Sequence, residues 1–121
     1  MKKAPIPVDH QILKEVFDGL KNTCLAAAKQ PHHRQKLAEV GKKLEVLYDK
    51  LREKSLPCTT TTGLHQLVIF IWAFDYKSAL KVINLMVSGG SIAILADFLP
   101  GVKALIQVAS QLGVYLKRPQ Q

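Results

Sequence analysis

Between Pro31 and Lys54 apolar residues recur at steps of three and four: Leu37, Val40, Leu44, Leu47 and Leu51. That spacing places them on one face of an α-helix. The opposite face carries Arg34, Lys42, Lys43, Glu45, Asp49 and Arg52. No other stretch separates its two faces so cleanly. An apolar stripe of this kind needs cover, so the flanking segments must supply further helices.

The chain before this stretch reads as a linker end and a first helix. Ala4 to Val8 holds two prolines and is expected to be extended, making residues 1–8 the end of a Pro-containing linker. Asp9 is the expected N-cap of helix one, which runs to about Lys29. Ile12, Leu13, Val16, Phe17, Leu20 and Cys24 form its apolar face. Pro31 suits the first turn of helix two, where its missing N–H is no loss. The short link makes helices one and two an antiparallel hairpin.

Beyond helix two, Ser55 to Gly63 reads as a loop in which Pro57 stops the helix and a threonine caps the next. Helix three spans about Leu64 to Phe74. Its run Leu67 to Phe74 is wholly apolar and would suit a buried strand on composition alone. Helical surroundings and the lack of a pairing strand favour helix. Helix four starts at Asp75 or Tyr76 and runs to about Val87, followed by a turn at Ser88 to Ser91. Helix five runs from about Ile92 to Leu116, kinked at Pro100-Gly101. Lys117 to Gln121 is a frayed tail. The expected fold is all-α: a compact bundle of about five helices over residues 9–116, with antiparallel helical hairpins stacked in a short solenoid-like array.

Composition narrows the function. The chain has 121 residues, 48% apolar and 21% charged, which fits one ordered domain. Net charge is +8. Met1 to Lys54 holds twelve basic and seven acidic residues, and Ser55 to Gln121 five and two, so no focused basic patch is visible. Nucleic acid is an unfavoured partner on this ground. The apolar run Leu67 to Phe74 is eight residues long, against the roughly twenty that a membrane-spanning helix needs. The opening residues lack the apolar region of a signal peptide. Cys24 and Cys58 are too few for a disulfide framework. Cys24 reads as a buried small side chain and Cys58 as a loop thiol, in a reducing cytosolic setting.

No residue set for catalysis or for a cofactor emerges. Gly89-Gly90 lacks the lysine and serine of a phosphate loop. His32 and His33 are adjacent, so they point in different directions on a helix and cannot pair on a metal at i,i+4. His10 and His65 lie singly near helix starts, and Asp97 has no partner legible in the sequence. The chain is therefore read as non-enzymatic, with no catalytic, cofactor or metal residues and no small-molecule substrate. What remains is an apolar excess: Ile69, Phe70, Ile71, Trp72 and Phe74 cannot all face one core. Either part of that ring meets another protein or another copy through helix three, or the helix is central and buried all round.

These residues carry a resemblance. KKAPIPVDHQILKEVFDGL, RQKLAEVGKKLEVLYDKLREKSL, TTGLH and DYKSAL, with Phe98 to Lys103 more weakly, resemble the C-terminal helical domain of the large outer-coat (cage) subunit of COPII vesicles. A related helical domain occurs in the steroid receptor RNA activator protein. Gln30 stands where the family tends to have aspartate, Leu67 to Phe74 is more apolar than the family's helix there, and the turn near Gly89 differs. The resemblance implies a non-enzymatic protein–protein interaction domain contributing to coat assembly in endoplasmic reticulum to Golgi transport. Its partners would be other COPII coat subunits, with membranes contacted only indirectly. Its location would be cytoplasmic, peripheral on COPII vesicles and exit sites. The interaction residues expected are Tyr48, Asp49 and Arg52 on helix two and Trp72 on helix three, an apolar anchor with a charged rim. The alternative is a basic helical RNA-binding or co-regulator module like the receptor RNA activator protein.

Overall fold

The computed structural model describes residues 6–89 and 92–114. The start of the proline lead-in, Gly90 and Ser91 of the turn, and the tail from residue 115 lie outside the described residues. A single-turn 3-10 helix at Val8–His10 is followed by α1 (Gln11–Ala27), α2 (Pro31–Glu53), α3 (Cys58–Trp72), α4 (Tyr76–Gly89), α5 (Ile92–Leu95) and α6 (Leu99–Leu112). The described residues contain no strand, so the chain is an all-α bundle.

The stripe on α2 behaves as its spacing requires. Leu37, Val40, Leu44, Leu47 and Leu51 are all buried, each contributing about 1.5–3 kcal/mol by leaving water. They meet Leu13, Val16, Phe17 and Leu20 from α1, and α6 from the other side. The hairpins α1–α2 and α3–α4 are both present. α6 packs extensively on α2 and also reaches α1 and α4. It thereby ties the two hairpins into one bundle.

Three element boundaries differ from expectation, each for a local reason. Asp9 does not cap α1; it sits in the 3-10 turn, and His10 precedes the helix with no side-chain cap. The lead-in folds back instead: Gln11 Nε2 donates to the Ile6 carbonyl at 3.0 Å, and Ile6 is buried in the core. α3 starts at Cys58, with Pro57 as its N-cap and no threonine capping it. The threonines form the first turns, Thr60 buried and Thr61 Oγ1 donating to the Cys58 carbonyl at 2.9 Å. Cys58 is thus the exposed first residue of a helix rather than a loop thiol. The expected long last helix is two helices. The break falls at residues 96–98, and Pro100 lies in the first turn of α6 instead of kinking its middle. Proline belongs there, because the first helical N–H groups have no acceptor.

Other punctuation follows the residues. Asp75 starts α4, its Oδ1 accepting the Ser78 N–H at 3.1 Å. Lys54 and Phe74 take left-handed backbone conformations at the ends of α2 and α3. Asp97 finds its partner in Lys50 at 3.2 Å, joining the turn before α6 to α2. Burial raises the Cys24 thiol to about 11, consistent with an inert core side chain.

One long-range polar contact closes the lead-in onto α3. His10 Nδ1 and His65 Nε2 lie 3.0 Å apart, so one ring must be neutral to accept. Burial, then His10, holds His65 below its ordinary value of 6.5, with Asp9 opposing. The folded chain therefore binds this proton less readily than the unfolded one. Stability from this contact is complete above pH 6.5 and is lost as pH falls below it. Thermal melts from pH 7.5 to 5 should show a falling Tm that His65→Gln flattens; parallel profiles for both proteins would dismiss the pair as a titrating contact.

Candidate interaction surface

The expected interaction residues divide on inspection. Tyr48 is fully buried. Its hydroxyl donates to Asp18 Oδ1 at 2.8 Å, while Asp18 Oδ2 takes the Lys14 ammonium at 2.7 Å. Lys14 Nζ also lies 5.1 Å from the centre of the Tyr48 ring, within cation–π range. Burial and the Asp18 bond push the phenol pKa up. The three side chains lock α1 to α2. Tyr48 is therefore a core residue that a partner cannot reach, because helix two turns it towards α1. Tyr48→Phe should lower stability by about 1.5 kcal/mol, the low end for a bond to a charged acceptor, since Lys14 still pairs with Asp18. Chemical denaturation would check this, and an unchanged midpoint would contradict it.

Asp49 and Arg52 pair with each other on α2, Nη1 to Oδ1 at 2.8 Å, with Asp49 half-exposed and Arg52 largely covered. Trp72 ends α3 half-buried against the core. Tyr48, Asp49 and Arg52 share one helix, and Trp72 lies on another that is not a major packing partner of α2. Ion pairs also occupy Lys14, Lys42, Lys50 and Arg52. These pairs thin any cationic surface that could follow a phosphate backbone.

The apolar run of α3 is neither wholly buried nor wholly exposed. Leu67, Val68 and Ile71 enter the core, Phe70 and Trp72 are partly covered, and Ile69 and Phe74 stay exposed. No described helix is long and apolar enough to cross a membrane. N-terminal to this run on α3 lies a groove of about 420 Å³ between α3 and α4. Thr59, Thr62, Gly63 and Gln66 form one wall; Val82, Leu85 and Met86 form the other. Leu85 is 71% exposed. A second slot of about 330 Å³ lies between α4 and the α5–α6 region, with Leu95, Leu99 and Pro100 on one side, Val87 on the other, and Lys103 at it. Sequence reasoning missed this groove. Its signal was Leu85, which continues the polar stripe Lys77–Lys81 at four-residue steps. Among the described residues no cluster of three or more metal-ligating side chains occurs.

Comparison with known proteins locates the chain. No family model matches it, and no solved structure does. Over 112 residues it is 40% identical to Protein transport protein Sec31A of Mus musculus and 39% identical to that of Homo sapiens. Over 107 residues it is 30% identical to Sec31B of Mus musculus. The Sec31A matches cover 93% of this chain but 9% of each relative, and the Sec31B match covers 88% and 9%. The chain thus spans about a tenth of the length of the curated relatives it matches. It is homologous to that segment of Sec31A and Sec31B, and the resemblance to the outer-coat subunit holds.

Proposed function

We propose, from its homology to a segment of the Sec31 transport proteins, that this domain is a non-enzymatic protein–protein contact module of the COPII outer coat. It would act in endoplasmic reticulum to Golgi transport, on the cytoplasmic face of vesicles and exit sites. The observation that carries this reading is 40% identity to Sec31A across nearly the whole chain. The structure is compatible with it: a closed helical bundle whose outward features are apolar grooves and paired surface charges. On this reading other coat subunits are the partners. Asp49 and Arg52 remain candidates for a charged rim, and Trp72 for an aromatic contact, while Tyr48 serves the core.

The test is retention of purified coat subunits by the immobilised domain, read by immunoblot. Wild type should retain at least one. Arg52→Glu, which breaks a part-buried pair outside the leucine core, should retain severalfold less. A wild-type domain that retains none would remove the coat reading; a folded Arg52→Glu variant that binds as well as wild type would remove only that residue.

A further inference from the structure

An exposed helix face on a chain this charged ordinarily carries charge. The face of α3 does not. Cys58 to Trp72 contains no aspartate, glutamate, lysine or arginine. After the exposed first residue Cys58, its exposed positions Thr59, Thr62, Gln66 and Ile69 follow one another at steps of three and four, so they form one stripe. Depletion of charge marks the centre of protein interfaces. The stripe runs into the groove whose far wall is Val82, Leu85 and Met86.

The exposed charge nearby on α4 is cationic. Lys77 and Lys81 are exposed and precede Leu85 at four-residue steps along α4. Asp75 is the one carboxylate in α3, α4 and the turn between them, and its Oδ1 is engaged by the Ser78 N–H. Both lysines act on it, leaving an excess of positive charge on α4 one and two turns before Leu85.

We propose that the α3–α4 face docks an acidic amphipathic segment of another protein. The partner's apolar side chains would enter the groove against Leu85 and Met86, and its carboxylates would meet Lys77 and Lys81. This rests on reading the domain as an interaction module and adds the chemistry of the partner. A second copy of the chain fits less well, because its own lysine pair would be set against this one, and like charges across an interface are penalised. Nucleic acid also fits less well, since two lysines beside an apolar groove offer few phosphate contacts.

A peptide-display library panned against the folded domain tests the idea without presupposing a sequence. Enriched peptides should carry leucine, phenylalanine or tryptophan three or four residues apart, interspersed with aspartate or glutamate. Binding of one enriched peptide, followed by fluorescence anisotropy, should weaken at least tenfold in Lys77→Glu/Lys81→Glu and in Leu85→Glu. It should also weaken with added salt in wild type. All three positions are exposed, and unchanged circular dichroism of the variants separates lost binding from lost folding. Enrichment without acidic residues, or equal binding by the charge-reversed variant, would overturn the proposal. So would a dimer of the free domain, by light scattering, that Leu85→Glu splits. Acidic-peptide binding with no retained coat subunit would sink the coat assignment alone; retained coat subunits with no acidic selection would sink this docking mode alone.

Discussion

Leu47→Ala is expected to destabilise the domain by about 2–5 kcal/mol, the range for deleting a buried leucine side chain and leaving part of its space empty. Leu47 has no exposed surface and lies in the C-terminal half of α2. That helix packs against α1 on one side and α6 on the other. Leu47 belongs to the core cluster that α1, α2 and α6 share, where close packing leaves little freedom to collapse into the void. Domains of this size hold about 5–15 kcal/mol in total, so the loss is a large share. Urea denaturation followed by circular dichroism would measure it, with exposed Glu45→Ala as a control expected within about 0.5 kcal/mol. A loss no larger than the control's would mean that the α2 stripe is not the core.

Gly101→Ala is expected to destabilise by about 1–3 kcal/mol, as overpacking does, although alanine in a helix is ordinarily favoured over glycine by about 0.5–1 kcal/mol. A Cβ at Gly101 would overlap Lys43 Cβ and lie 2.7 Å from Lys43 Cγ. These atoms stand next to the α2 backbone and cannot swing aside, so the α2–α6 crossing itself must open. Gly63→Ala supplies the contrast. There the added Cβ would lie 2.8 Å from Met86 Sδ and 2.9 Å from its Cγ. These belong to a flexible thioether that can rotate away. Its net effect should be within about 1 kcal/mol of zero, the helix gain offsetting the adjustment. Paired thermal melts of the two variants would decide; equal losses would show that the crossing at Gly101 is not unusually close.

Much of the architecture was legible because burial on a helix writes a period into the chain. The α2 stripe, the apolar face of α1 and the turn at Pro31 were each readable from spacing and one proline. The same logic misassigned Tyr48. A tyrosine next to a leucine stripe, flanked by charged residues, looks like a surface anchor. Its place in the core depends on Asp18, thirty residues earlier, being on the facing helix to accept its hydroxyl. Thr60 was likewise expected in a loop, because Pro57 ends helix two and a threonine was read as the cap of the next helix. Packing of Thr60 and Gly63 into the bundle overrides that preference.

The amphipathic faces of α1 and α2 and the hairpin they form are properties of local pattern, and the chain alone determined them. Which helix crosses which, and how closely, was decided by the assembled bundle. So were the His10–His65 contact, the Lys50–Asp97 pair and the groove between α3 and α4. The reason is that periodicity reports which residues leave water but not which neighbours receive them. Partners far apart in sequence meet only once α6 has closed against both hairpins.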